Sequence, residues 1–579
     1  MARYLACGEA AITVEFGDEI SPELHRQVRA FALAIEQDPP PGLLELMPTY
    51  RSVTVQFDAS HPEADQMELR LREAEASSTS IEVRPGKLHV MPVHYGGEDG
   101  PDLDDVARLH DLTADQAIDL HSNREYVVYC VGFSPGFAYL GGLPAELHTP
   151  RLGTPRKLVP AGTVGIGGQQ TGVYPVPTPG GWRLLGRTNF TLFDVNAEPP
   201  CPLKAGDRVL FRAVDRLKRG ANARMSVAAQ PAGQPVLEVL KPGLFTTVQD
   251  LGRWGYQASG VSVAGAMDPL ALRMANGLVG NEPDAGALEI TLLGPTLRAV
   301  GACIVALAGA EVEPRLNGRP VMGTVELKVG DELEVGRTVR GARAYLAVGG
   351  GIDVPLVLGS RSTYTRAGFG GLEGRALRAG DTICHAERSE ESAPRARIPR
   401  SARNDKWLPL PSGDEITVRV VLGPQDDYFS VETIEEFLRK AFQISSDADR
   451  MGYRLAGHPL HHQGPAEIVS DGVVLGSIQI PPHGNPIVML ADRPSVGGYP
   501  KIATVIGSDV RLVAQCRPGM RLHFRQVSVA EARQGLREET TGDPRLPVEE
   551  VRDLLSAMHR AGARQAEVES PGLRIRLDR

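Results

Sequence analysis

The stretch "AGTVGIGGQQTGVYPVPTPGGWRLLGRTNFTLFD", residues 161–194, has an imperfect counterpart about three hundred residues later in "LGSIQIPPHGNPIVMLADRPSVGGYPKIATVIGSDV", residues 475–510. Each runs through a glycine-led aliphatic strand, a polar turn, a second strand, a Gly-Gly-aromatic turn, a basic residue and a further strand. Each is followed by a glycine-containing turn and a last strand, "KAGDRVLF" at 204–211 and "RPGMRLHF" at 517–524. Short strands broken by glycine turns at this spacing predict a closed barrel. The repeat predicts one barrel type used at least twice. Two related halves can set their matching turns face to face and form a cleft walled by both.

Outward from the repeat, the chain is 579 residues long, which predicts three to five domains because a single core stops growing at about 250–300 residues. Apolar residues make up 42% and charged residues 23%, while 64 glycines and 45 prolines favour many tight turns and a mainly β fold with α+β parts. The first 80 residues read as a small α+β subdomain. In it Ser21-Pro22 supplies the cap and first turn of a helix that places Leu24, Val28, Ala32 and Ile35 on one face. Residues 81–216 read as the first barrel, with a capping box at Thr113-Ala114-Asp115-Gln116. A linker is expected at 217–235 and a second β-rich half at 236–532, where Asp268-Pro269 starts a helix with Leu270, Met274 and Leu278 on one side. The arginine-rich stretch within 386–412 reads as a mobile insertion, and 545–579 as a tail with Val548, Val551, Leu555 and Met558 on one helix face, followed by a hairpin through Ser570-Pro571-Gly572.

Several function classes are disfavoured. A net charge of −9 argues against nucleic acid as partner. The sequence contains no leader-like apolar segment and no run of about 20 apolar residues, so a cytoplasmic protein without a membrane contact is expected. The six cysteines are widely spaced with no C-x-x-C pair, which predicts buried thiols. His458, His461 and His462 sit beside Pro459 with no acidic neighbour, so they read as a turn, and no metal ligand set is expected. Gly132-Phe133-Ser134-Pro135-Gly136 fits a nucleophile-elbow pattern, but Pro135 has no N–H for an oxyanion, and Ser134 is read as a wall position at the barrel mouth. No phosphate-binding loop or dinucleotide fingerprint is complete: Pro500 precedes Lys501, and Gln170 replaces the last glycine of "GIGGQQ".

What remains is polar side chains at glycine turns. In the first barrel these include Gln169, Thr171, Tyr174 and Arg187; in the last, Arg450, Arg454, Asp471, Gln479, Asp492, Tyr499 and Lys501. Glycine turns let backbone N–H groups converge on an anion, cations add charge, and a carboxamide can read a planar amide from both sides. Lys501, between a Gly-Gly-Tyr-Pro turn and the strand "IATVI", is the strongest single candidate.

The segments "YVVYCVGFSPGFAYLGGLP", "PRLGTPRKLVPAGTVGIGGQQTGVYPVPTPGGWRLLGRT", "TTVQDLGRWGYQASGVSVAGAMDPLALRMANGLVGN", "LGPQDDYF", "RMGYRLAG" and "MLADRPSVGGYPKIATV" resemble the B and C components of bacterial 5-oxoprolinase fused in one chain, the allophanate hydrolase subunit 1/subunit 2 family. They are similar too to the carboxyltransferase domain of urea carboxylase. The resemblance spans residues 1 to about 532. It implies tandem cyclophilin-like barrels and ATP-dependent opening of 5-oxoproline to glutamate together with a separate A component of 5-oxoprolinase. ATP and Mg²⁺ enter only as implied by the family. On that basis Lys501, Arg454 and Arg187 are cast as phosphoryl or carboxylate clamps, Gln169 and Gln479 as amide readers, Thr171, Tyr174 and Tyr499 as substrate contacts, and Asp471 or Asp492 as the Mg²⁺ ligand. An oligomer is expected. The alternatives are a biotin-dependent carboxyltransferase acting on urea or a related amide, and a module that inhibits a histidine kinase. The tail looks like the segment preceding the biotinyl domain of carrier proteins, but no lysine follows Lys501, so covalent biotin is not expected there; docking of a partner, a biotin carrier protein among them, is.

Overall fold

A computed structural model describes residues 2–217, 223–224, 233–385, 410–411 and 413–541, together with the strands Gln565–Ser570 and Leu573–Asp578, which pair as an antiparallel hairpin. All but two residues of the expected arginine-rich insertion, and the tail helix expected from Val548 to Met558, lie outside the described residues.

The fold is mainly β, with two closed seven-stranded barrels. In the first barrel, strand Leu88–Tyr95 pairs parallel with the last strand, Arg208–Ala213. The second closes the same way, Glu415–Leu422 lying parallel to Arg521–Gln526. Every other ladder in both barrels is antiparallel, so the duplication visible in the sequence reappears as the same closure. Alternation puts Val128, Leu140, Val164, Ile166 and Phe211 inside the first barrel and Val418, Val420, Ile478, Val488 and Phe524 inside the second.

Ahead of the first barrel, a four-stranded antiparallel sheet packs against the helices Pro22–Gln37 and Met67–Ser78. The Ser21 side chain accepts from the Leu24 N–H as the sequence predicts, and the Thr113 capping box is complete. Between the barrels, residues 233–385 form two facing sheets of six and five strands rather than a closed barrel, around a core that includes Val239, Leu288, Leu297 and Leu346. Helix Pro269–Leu278 starts at Asp268, whose carboxylate accepts from Ala271. Its deeper face is Ala271, Leu272 and Ala275, and the predicted Leu270, Met274 and Leu278 are only half-buried. Small residues facing Ala306, Ala308 and Ala347 let this helix lie close on the sheet, a geometry that hydrophobic periodicity alone does not reveal.

The units share cores. Val261, Tyr364 and Phe369 of the central sheets belong to the first barrel's core, and Met267 to the second's. Helix Val529–Thr541, which follows the second barrel, returns to the N-terminal sheet: Arg533 and Arg537 pair with Asp65, Arg533 donates to the Glu9 carbonyl, and Leu536 packs on the sheet–helix core. Among the described residues no helix is long and apolar enough to cross a membrane.

Candidate functional site

The two barrels meet across a cleft of about 630 Å³. One wall is the Gly167–Gln170 turn of the first barrel with Pro150 and Arg151; the other is Glu467, Ile468 and Val469 of the second half, with Glu19 and Ile20 at the edge. The second wall is held by the Gly497-Gly498 turn, since Gly498 accepts from the Ile468 N–H at 2.9 Å. The Gly167–Gln170 turn thus faces residues 467–469, which the Gly497-Gly498 turn braces from behind, and the matching turns of the two repeat copies do not face one another across this cleft. Gly168 has φ +61°, a left-handed conformation that suits glycine at the tip of this turn.

Behind the first wall lies an aromatic cluster of Tyr50, Tyr129, Phe137, Tyr139, Tyr174 and Trp182, joined by Val469 and Val496 of the second half. Tyr50 stacks on Tyr129, and its hydroxyl is buried without a hydrogen-bond partner. Burial pushes the Tyr174 hydroxyl up to about 12 and drives Tyr50 and Tyr139 higher still, so all three are neutral donors at ordinary pH. Tyr139 is hydrogen-bonded to Ser470, the residue before Asp471.

Asp471 centres the most concentrated polar network. Its Oδ1 accepts from the Ser52 hydroxyl at 2.6 Å and the Gly472 N–H at 2.8 Å; its Oδ2 accepts from Gln425 at 3.2 Å and the Lys501 ammonium at 3.4 Å. Burial alone would raise this carboxyl, but the Lys501 charge, then the Ser52 and Gly472 donors, outweigh it and hold Asp471 below its usual range. Lys501 is fully buried and Asp471 is its one ion-pair partner among the described residues, which leaves ammonium N–H groups for an oxygen that enters. Gln479 sits across the strand from Lys501, and its Nε2 is a buried donor without a partner. Gly497 packs closely beside it: a Cβ there would stand 2.6 Å from that nitrogen and would push the carboxamide aside. Cys7 also lies near this pair, its thiol pushed up to about 11 by burial and bonded to Thr13.

Of the residues proposed from sequence, Lys501, Asp471 and Gln479 form this network, Tyr499 is half-buried on the turn leading to it, Gln169 lines the cleft and Tyr174 stands in the wall behind. The others lie elsewhere. Arg187 is paired with Asp99 near the start of strand Thr163–Gly167, the end opposite Gln169, and donates to the Ala161 carbonyl. Thr171 points into the barrel, where it bonds His121. Arg454 is engaged with the Asp447 carbonyl at an exposed edge. Asp492 is held bidentate by Arg450, which also binds Glu289, so it locks the central sheets to the second barrel. Both oxygens of Asp471 already accept two hydrogen bonds each, the charge of Asp492 is engaged by Arg450, and among the described residues no three His, Cys, Asp or Glu side chains converge as metal ligands. The Mg²⁺ role given to them does not fit these side chains.

Sequence reasoning misses three members. Gln425 donates to Asp471 and accepts from the Lys501 N–H; it stands in the "LGPQDDYF" segment, the available signal. Ser52 comes from the N-terminal sheet, in a strand whose alternation gives no hint of a bond to residue 471. Arg151 is overshadowed in the sequence by Arg156, whose charge is engaged by Asp102, both carboxylate oxygens accepting from its Nη2. Ser134 is 8% exposed with its hydroxyl unpartnered, and its turn is packed between Ser259 and Val496 as part of a wall between units.

Comparison with known proteins adds the family context. Residues 2–203 match the carboxyltransferase domain, subdomain C and D, and residues 259–526 match the carboxyltransferase domain, subdomain A and B. The chain is 40% identical over 299 residues to the C component of 5-oxoprolinase from Escherichia coli, covering 51% of this chain and 93% of that protein. It is 43% identical over 216 residues to the B component of 5-oxoprolinase from Bacillus subtilis, covering 35% of this chain and 89% of that one. The crystal structure of the protein TTHA0988 superposes with a TM-score of 0.77 at 33% identity, covering 91% of this chain and 100% of the other.

Proposed function

The chain belongs to the carboxyltransferase-domain family that includes the B and C components of 5-oxoprolinase, and from that premise we propose that it is a fused B/C component of an ATP-dependent 5-oxoprolinase that works with a separate A component. The observation that carries this reading is the composite site. The cleft has one wall from each half, and Ser52 of the B-like half bonds directly to Asp471 of the C-like half.

An unstrained lactam is a poor electrophile, and the chemistry that ATP supplies is conversion of its oxygen into a leaving group. Lys501 and the Gln479 carboxamide are buried and are not among the residues that line the cleft; in this reading the substrate oxygen has to pass beyond the described cleft to reach them, and there they donate to it as charge develops. Asp471 keeps Lys501 charged and fixed, while Ser52 and Gln425 fix Asp471. The described lining of the cleft carries a single cation, too little charge for a triphosphate, so this cleft is read as the amide site and not the nucleotide site.

The test is purified protein mixed with the A component, 5-oxoproline and Mg-ATP, followed for glutamate and phosphate. Equimolar release of both is expected. A second reading, transfer of a carboxyl group, is favoured by the family description, and urea as its acceptor by a 36% identical urea amidolyase from Lachancea kluyveri. Turnover of urea with carboxybiotin and none of 5-oxoproline would put it first.

A further inference from the structure

Among the described residues, Arg151 is the only cation lining the cleft. It is exposed, and among the described residues it has no ion pair, although Glu19 and Glu467 line the same cavity. It stands at the rim of the cavity beside the Gly167–Gln170 turn, open to solvent. Beside it, Gln170 is 9% exposed and its Oε1 is the one lining side-chain atom among the described residues that is buried without a partner. An acceptor in need of an N–H, a single unneutralised guanidinium and the apolar edges of Ile20, Pro150 and Ile468 are three demands that one ligand can meet together.

We infer that the Arg151–Gln170 side of the cleft is a binding subsite for a monoanionic carboxylate carried on a planar N–H-bearing ring, with Arg151 clamping the carboxylate and Gln170 accepting from the ring N–H. The guanidinium fork matches a carboxylate in two parallel hydrogen bonds. Glu19 and Glu467 bring negative charge to the same cavity, so it fits one added negative charge better than two. The inference rests on the lactam reading of this site and deepens it: Arg151 would separate 5-oxoproline from neutral amides of similar shape.

The probes are 5-oxoproline and 2-pyrrolidinone, the same ring without its carboxylate, titrated by calorimetry against the full chain with and without the A component. Wild type is expected to bind 5-oxoproline about ten- to a hundredfold more tightly, the size of a charge-assisted hydrogen-bond pair. Arg151→Gln should remove the preference by weakening 5-oxoproline alone, and Arg151→Lys should retain part of it. Because Arg151 is exposed and supports no other described side chain by an ion pair, the variant's unfolding midpoint should match wild type. Equal affinities in wild type, binding of neither compound, or a preference that survives Arg151→Gln would overturn the inference. Glutamate release judges the parent reading separately. A preference without glutamate release retires the oxoprolinase assignment and keeps the subsite, whereas release with an unchanged KM in Arg151→Gln retires the subsite alone.

Discussion

Lys501 is a fully buried ammonium, and its removal tests both stability and chemistry. Lys501→Met leaves Asp471 as an unpaired buried carboxylate and should cost about 3–5 kcal/mol in denaturant unfolding, together with all measurable turnover. Ser52→Ala is the sharper probe. It removes one donor from Asp471, and if Asp471 positions Lys501 it should lower kcat about tenfold with little change in KM, although Ser52 lies 419 residues away in sequence. His121 sets a pH limit. It is enclosed in the first barrel between Tyr95 and Thr171, and burial lowers it from 6.5 to about 3. The folded ring stays neutral while the unfolded one binds a proton below pH 6.5, so stability is full above that pH and falls down to pH 3. This ring should account for about 2 kcal/mol of loss at pH 5, measured by urea unfolding across pH. At this scale the sequence singled out Lys501, Asp471 and Gln479, which the fold brings together, because glycine turns with basic and carboxamide residues have a chemical signature. It did not disclose Ser52 or Gln425, whose roles depend on which strands the fold brings together, and it overvalued Arg187 and Arg454, whose partners Asp99 and the Asp447 carbonyl are ordinary local contacts.

Turns and strand ends carry the contact between barrels. A Cβ on Gly132 would stand 2.5 Å from Val496, so the residue 132–136 turn can lie against the second barrel only as built. Gly132→Ala should wedge the two apart at a cost of about 1–3 kcal/mol and reduce turnover, and Val496→Ala added to it should restore part of both, a coupling that a double-mutant cycle will measure. Barrel strands were legible because each repeat unit alternates and ends in glycine. Helix Pro269–Leu278 was legible in its cap and not in its buried face, since periodicity ranks Leu270 and Met274 above the alanines that close approach prefers. The facing sheets of residues 233–385 share the glycine turns of a barrel, and long-range pairing, such as Cys303–Val312 with Thr338–Val348, tells them apart.

Over the whole molecule, the two halves are tied by more than the segment that joins them. Glu45 and Gln56 of the N-terminal sheet bond Gln257, Arg3 pairs with Asp427, and Glu9 accepts from the Gly507 N–H. Residues 1–217 and 233–579 expressed as separate polypeptides should therefore co-purify as a one-to-one complex by light scattering and regain turnover; independent elution would mean that the covalent link alone keeps them together. The tandem barrels could be read from the duplicated stretch, whereas the docking of the first sheet onto the second barrel could not, because no local pattern encodes it. The returning helix Val529–Thr541 has a consequence for biosynthesis. Asp65 leaves the ribosome 468 residues ahead of Arg533, an interval of roughly 25–90 s at ordinary translation speeds. Through that interval the nascent sheet must wait with the seat of that helix uncovered, so a unit that emerges before both barrels is finished only after them.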